Sequence, residues 1–194
     1  KHMSEENIQI AADYIFSEGK RLEAMSMKLF DLILLGRTGI DQRRIYVPDL
    51  LESVEHTAAP IMEKRGVGLR VLPCGACIMG DRDLLKTVFI NMLDNASKAS
   101  RGRGTVNLGA FCKSGVVLIM VEDHGCGIPE EDLKKITEAF YMVDKSRSRK
   151  SGGAGLGLTL ASKIIDLHGG RLKIVSQVEK GTRMMVYFKE AAQE

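Results

Sequence analysis

DRDLLKTVFINMLDNASKASRGRGTVNLGAFCKSGVVLIMVEDHGCG occupies residues 81–127, and three kinds of order follow one another in it. Asp81 stands just ahead of an apolar series in which Leu84, Leu85, Val88, Phe89, Met92, Ala96 and Ala99 recur at helical spacing, so the segment predicts an N-capped helix running to about Ser100. Thr105–Cys112 and Val116–Glu122 are then two β-branched and apolar runs joined by Lys113-Ser114-Gly115, which predicts a hairpin. Asp123 closes the second run with a carboxylate, and Gly125 and Gly127 follow it one residue apart. A helix that leads into an antiparallel hairpin does not belong to a doubly wound parallel sheet.

Upstream, the same alternation continues in shorter pieces. Arg44–Val47 reads as a strand, Pro48 opens a helix to about Lys64, Val67–Leu72 is a strand and Ile78-Met79 a short one. Downstream, residues 124–152 lack strong periodicity and are rich in Gly, Lys, Arg and Ser. A helix follows from about Gly155 to His168, and Arg171–Ser176 and Arg183–Phe188 close the chain as two strands around Gly181. The expected fold class is therefore α/β in the α+β sense: a two-layer sandwich of a mixed, largely antiparallel sheet and helices.

Residues 5–36 have a different character. Ile8, Ile15, Leu22 and Leu29 recur every seven residues, with Ala11, Met25 and Leu32 three positions later, interrupted by Glu18 and Gly19. This is a coiled-coil type seam on one long amphipathic helix, broken by Gly36-Arg37-Thr38-Gly39. Its stripe needs another helix, in this domain or in a second chain.

Composition sets the outer limits. The 194 residues carry a net charge of +3, 44% hydrophobic and 27% charged residues, the balance of a water-soluble globular protein. Trp is absent and aromatics are 5%, too few for base-stacking platforms, so nucleic acid is not an expected partner. No apolar run reaches the length of a bilayer span, so this fragment predicts no membrane contact of its own. Cys74, Cys77, Cys112 and Cys126 lack the paired spacing of a zinc site and read as free cytosolic thiols. Lys1-His2-Met3 reads as a cloning remnant, which makes the chain a piece of something longer.

Three constellations carry the chemistry. Asn91, Asn95 and Lys98 stand at i, i+4 and i+7, one stripe of the helix, where carboxamide oxygens suit Mg²⁺ and the ammonium suits phosphate. Asp123 with Gly125 and Gly127 offers a carboxylate for an exocyclic amine and backbone that approaches a flat ring closely. Gly152-Gly153-Ala154-Gly155-Leu156-Gly157-Leu158 opens a helix whose first amides are free for phosphate. Its spacing is neither the P-loop nor GxGxxG, which disfavours both of those nucleotide folds.

Taken in order, these segments resemble the GHKL superfamily, and within it the ATP-binding catalytic domain of sensor histidine kinases. Asn91-Met92-Leu93-Asp94-Asn95-Ala96 is similar to the N box, Asp123-x-Gly125-x-Gly127 to the first glycine box, and Gly153-x-Gly155-Leu156-Gly157-Leu158 to the second. Phe140–Arg147 resembles the segment that opens the ATP lid, and His168-Gly169-Gly170-Arg171 and Gly181-Thr182 resemble the closing strands. The resemblance implies ATP and Mg²⁺ as cofactors, with Asn95 on the metal and Asn91 and Lys98 positioning phosphate. It further implies Asp123 on the adenine amino group, Gly125, Gly127 and Ile128 around the base, Gly153, Gly155, Leu156, Gly157 and Leu158 at the lid hinge and phosphates, and Thr182 near the base. Met142 and Ala99 depart from the family, which often has an Arg and an aromatic at those places.

Position 91 bears on the reaction. The ATPases of this superfamily carry a Glu there to activate water, and Asn91 has no such basicity. The expectation is therefore γ-phosphate transfer to a histidine, with a GHKL ATPase clamp or a catalytically degenerate nucleotide-gated interaction module as alternatives. Residues 4–38 resemble the second helix of the dimerisation and phosphoacceptor hairpin, and residues 40–190 the catalytic domain. The resemblance implies a homodimer through the dimerisation helices, a response regulator receiver domain as partner, and a cytoplasmic location within a parent protein that is anchored in a membrane or free of one. None of His2, His56, His124 and His168 lies in an acceptor motif, so the acceptor is expected outside this chain.

Overall fold

In a computed structural model the described residues are 5–35, 40–102, 104–143 and 155–192, with the side chains of residues 5, 6 and 21 outside the description. The order is α1 (Glu5–Leu34), β1 (Arg43–Tyr46), α2 (Val47–Lys64), β2 (Gly68–Leu72), β3 (Cys77–Gly80), α3 (Arg82–Ala99), β4 (Thr105–Lys113), β5 (Val116–Asp123), α4 (Gly157–Leu167), β6 (Arg171–Gln177) and β7 (Gly181–Lys189). Each expected element is present, with ends displaced by at most two residues, the usual uncertainty where a helix frays or a strand leaves the ladder.

Five strands form the main sheet in the order β2-β4-β5-β7-β6. The β2–β4 pair is parallel and the other three are antiparallel, so the sheet is mixed and largely antiparallel. A second, two-stranded sheet pairs β1 with β3 antiparallel, and an Ile78–Glu190 bridge ties it to the chain beyond β7. The strand period of two decides which side chains enter the core. On β5, Val117, Ile119 and Val121 are fully covered while Leu118 and Met120 are only half-buried. On β7, Met184, Val186 and Phe188 face the same way. The three helices α2, α3 and α4 cover that side, which completes the two layers.

Asp81 is extended and its Oδ1 accepts from the backbone N–H of Asp83 and Leu84, at 3.0 and 3.1 Å, so the cap that starts α3 is the one the sequence predicts. His168 fixes that end to α4. Its Nε2 accepts from the Asp81 N–H at 2.9 Å, and its Nδ1 lies 2.7 Å from the Ile164 carbonyl.

Among the described residues the long helix α1 meets the body through its C-terminal half. Met25, Leu29 and Leu32 are half-buried and Leu35 is buried, whereas Ile8, Leu22 and Ile15 (70% exposed) stand in solvent. The flanks are not uniformly polar, as the heptad reading expects, because Ile10, Tyr14, Phe16, Met27, Phe30 and Ile33 are exposed outside the seam. A heptad count registers one stripe and passes over a second apolar face.

Candidate functional site

The inward row of β5 ends on a carboxylate. Val117, Ile119, Val121 and Asp123 alternate toward the helices, so the strand period that buries the valines also buries Asp123, 2% exposed. Asp123 Oδ1 accepts from the Gly125 N–H at 2.9 Å. Among the described residues Asp123 Oδ2 is buried with no hydrogen-bond partner. Burial pushes the carboxyl above its ordinary range, and the backbone N–H groups of Gly125 and Thr182 pull in the other direction. A buried acceptor without a donor costs free energy on the order of 1–3 kcal/mol, which marks it as a group that awaits a ligand.

Asp123 belongs to the wall of a cavity of about 960 Å³, and the same cavity is lined by Asn95 and Lys98. The helix stripe and the strand end predicted separately therefore face one space. Gly127, Ile128, Gly155, Gly157, Leu158 and Thr182 line it as well. Thr182 Oγ1 lies 2.8 Å from Ser176 Oγ, and Ser176 Oγ accepts from the Ile128 N–H at 2.8 Å, so the β6–β7 turn and the loop after β5 form one bonded unit. Gly127 has φ +67°, and a Cβ on it would fall 2.1 Å from the Gln177 carbonyl oxygen. Only glycine fits that approach.

Several expected residues lie elsewhere. Gly125 does not line the cavity: the space it leaves is filled by the Ala99 backbone, 2.5 Å from where a Cβ would stand, so its role here is to seat the loop on the end of α3. Leu156 is fully buried under the start of α4 and contributes packing. Asn91 is 8% exposed and outside the lining, and its carboxamide is engaged at both ends. Its Nδ2 donates to the Thr87 carbonyl at 2.9 Å, and its Oδ1 accepts from Lys28 Nζ at 3.2 Å. Gly153 and the basic run Lys145, Arg147, Arg149 and Lys150 lie outside the described residues.

The cavity also contains residues that sequence reasoning missed. Asp94 joins Arg65 Nη1 through Oδ1 and Lys98 Nζ through Oδ2, both at 2.8 Å. Burial pushes the Asp94 carboxyl up, but Lys98 and Arg65 outweigh it and hold the group below its ordinary range. Lys98 thus stands beside the cavity already paired. Ala24, Met25 and Lys28 of α1 form part of the same wall, as do Arg65, Arg101 and Tyr141. Tyr141 Oη donates to Asp132 Oδ1, which fixes the start of the segment that leads into residues 144–154. Among the described residues α4 begins at Gly157 without a side-chain cap, and Gly157 and Leu158 line the cavity. The cavity wall thus combines a buried carboxylate with several cations, Lys28, Arg65, Lys98 and Arg101.

Residues 80–192 match the family model described as Histidine kinase-, DNA gyrase B-, and HSP90-like ATPase. The chain belongs to that family. Within it the domain is of the histidine-kinase type. It is 46% identical over 101 residues to the signal transduction histidine-protein kinase ArlS of Staphylococcus aureus (strain USA300), a match that covers 52% of this chain and 22% of that protein. The matched region is thus about a fifth of the relative's length. Among solved structures, full-length ShkA in complex with AMPPNP superposes with a TM-score of 0.77 at 24% identity, over 100% of this chain and 41% of that one. Acinetobacter baumannii histidine kinase AdeS gives 0.74 at 18% identity, over 99% of this chain and 88% of that one. These likenesses place the fold of the histidine-kinase domain. Among the described residues no helix is long and apolar enough to cross a membrane, and all four cysteines are free.

Proposed function

We propose that this histidine-kinase domain binds Mg-ATP in the cavity and presents the γ-phosphate to a histidine of a dimerisation domain, residues 40–190 forming the catalytic domain and residues 4–38 the second helix of that hairpin. The observation that carries the reading is the orphaned Asp123 Oδ2. An adenine amino group supplies the missing donor, and Ile128 and Met184 offer apolar contact to the ring. Purine specificity then comes from a charge-assisted hydrogen bond in a dry place. The relative solved with AMPPNP agrees with an adenine nucleotide.

The residues present fit the rest of the ligand. Asn95 offers a hard carboxamide oxygen where Mg²⁺ would be held together with phosphate oxygens. The ion would supply neutralisation of phosphate charge. Lys98, the amides at the start of α4 and the neighbouring Arg65 would orient the phosphates, and in phosphoryl transfer orientation and charge neutralisation do most of the work. Asn91 has no basicity to activate water and its oxygen is engaged by Lys28, which favours transfer over hydrolysis. The exposed Ile8, Ile15 and Leu22 seam supports pairing of two chains into a helical bundle, and a response regulator receiver domain is the natural recipient of the phosphoryl group.

Calorimetric titration with ATP, with and without Mg²⁺, tests the site. Asn95→Ala should abolish most of the Mg²⁺-dependent gain in affinity, and Asp123→Asn should weaken adenosine and ATP alike by about a hundredfold. Unchanged affinity in both variants rejects the assignment. Light scattering tests the assembly, since a monomer at high concentration contradicts pairing through α1.

A further inference from the structure

Lys28 belongs to α1, yet its ammonium reaches the catalytic body 63 positions along the chain, where it donates to Asn91 Oδ1 at 3.2 Å. Its neighbours Ala24 and Met25, on the same helical face, line the cavity with it. An ammonium has three donors, and the contact to Asn91 uses one of them. The acceptor is a neutral carboxamide, a weak partner for a desolvated charge. Burial accordingly pushes the Lys28 ammonium below its usual range, Lys98 adds to this, and the Asp94 and Asp31 charges oppose it without cancelling it. Asp94 itself is committed to Arg65 and Lys98. Among the described residues the half-buried cation, on a wall of the space that the proposed nucleotide enters, makes no ion pair with a carboxylate. It is the counterpart, at the phosphate end, of Asp123 Oδ2 at the base end.

We infer that Lys28 is a phosphate-binding residue contributed to the nucleotide site by the stalk helix, its ammonium turning from Asn91 to a phosphate oxygen when a nucleoside polyphosphate enters. This rests on the reading of the cavity as an ATP site. A lysine suits the role because its flexible stem lets the charge swing a few ångströms while Met25, Leu29 and Leu32 keep the helix seated. The contact has a consequence for the helix. A ligand that binds the docked arrangement of α1 more tightly than the undocked one must strengthen docking by the same factor, so polyphosphate occupancy and the seating of α1 are linked.

The test is calorimetric titration of the whole chain with Mg-AMPPNP and, separately, with adenosine, for wild type, Lys28→Met, Lys28→Arg and Asp123→Asn. Methionine keeps the stem and removes the charge. Lys28→Met should bind Mg-AMPPNP about tenfold more weakly and adenosine unchanged, and Lys28→Arg should restore most of the loss. Equal losses for both ligands would indicate a merely structural role and overturn the inference. Unchanged or tighter Mg-AMPPNP binding by Lys28→Met, with Asp123→Asn still impaired, would overturn it and leave the ATP site standing. Failure of the wild type to bind either ligand would remove the ATP site itself, and Lys28 with it.

Discussion

The two ends of the cavity are held together by different means. At the base end, backbone meets backbone. The vacancies of Gly125, Gly127 and Gly181 are filled by the main chain of Ala99, Gln177 and Asp123. At the phosphate end, side chain meets side chain: the vacancy of Gly157 faces Asn91 Oδ1 and Lys28 Nζ, and Asp94, Arg65 and Lys98 form a three-way ionic cluster. Gly155, at the foot of the lid segment, is the exception, since it abuts the Phe140 backbone. On the proposed reading a flat, invariant base would meet a fixed wall. A flexible, highly charged polyphosphate would meet groups that can swing, and the side-chain contacts at that end are the ones the ligand would exchange.

The largest expected effect tests the rigidity of the base end. Gly181 has φ +110°, and a Cβ on it would lie 2.0 Å from the Asp123 carbonyl oxygen. Gly181→Ala should cost about 3 kcal/mol in urea denaturation, because neither backbone can yield without breaking the β5–β7 ladder. Gly157→Ala should stay within about 1 kcal/mol of wild type. Its Cβ meets two side-chain ends, Asn91 Oδ1 at 2.8 Å and Lys28 Nζ at 3.6 Å, which can shift by a few tenths of an ångström where backbone cannot, and the helix gains from losing a glycine. Similar costs in the two variants would break the contrast.

The sequence discloses these two ends unequally. Period-two alternation, the Asp81 cap and the Lys113-Ser114-Gly115 turn are local signals, so the sheet, α3 and the Asp123 terminus could be read directly. The base end shares that legibility because its glycines are demanded by main-chain approach. The phosphate end does not. Arg65 reaches Asp94 across 29 positions and Lys28 reaches Asn91 across 63, and no periodicity in either segment points to the other. Lys28 sits among seven-residue apolar repeats, where it reads as a solvated flank. The same holds for Asn91, since its position on a helix stripe does not disclose that a cation from another element holds its carboxamide.

A second prediction concerns acid. Asp123 has its pKa raised in the fold, so the native state binds its proton more readily than the unfolded chain does. Its ionisation therefore opposes folding: the favourable balance below the ordinary carboxylate pKa is lost as pH rises through the higher folded value. Asp123→Asn should remove that loss. Wild type should be less stable than the variant by about 1 kcal/mol at neutral pH, with the gap closing on mild acidification. Urea midpoints across that pH range measure it. A wild type more stable than the variant at neutral pH would mean that Asp123 Oδ2 is satisfied in solution and is not the acceptor awaiting a base.

An effect of similar size lies at the other end and has the opposite sign. Asp94 is held below its ordinary pKa despite burial, because Lys98 and Arg65 favour its charged form. Its contribution is present above the unfolded carboxylate pKa and is lost as pH falls through the lower folded value. Asp94→Asn should therefore cost about 1 kcal/mol at neutral pH, a figure kept small because all three partners are partly exposed, and nothing in strong acid. The same substitution releases Lys98 and Arg65 from their shared anion, so Mg-AMPPNP should bind at least as tightly as in wild type even though the protein is weaker. A stability loss accompanied by lost nucleotide affinity would show that Asp94 aims the two cations as well as neutralising them, and the phosphate end would then share the fixed character of the base end.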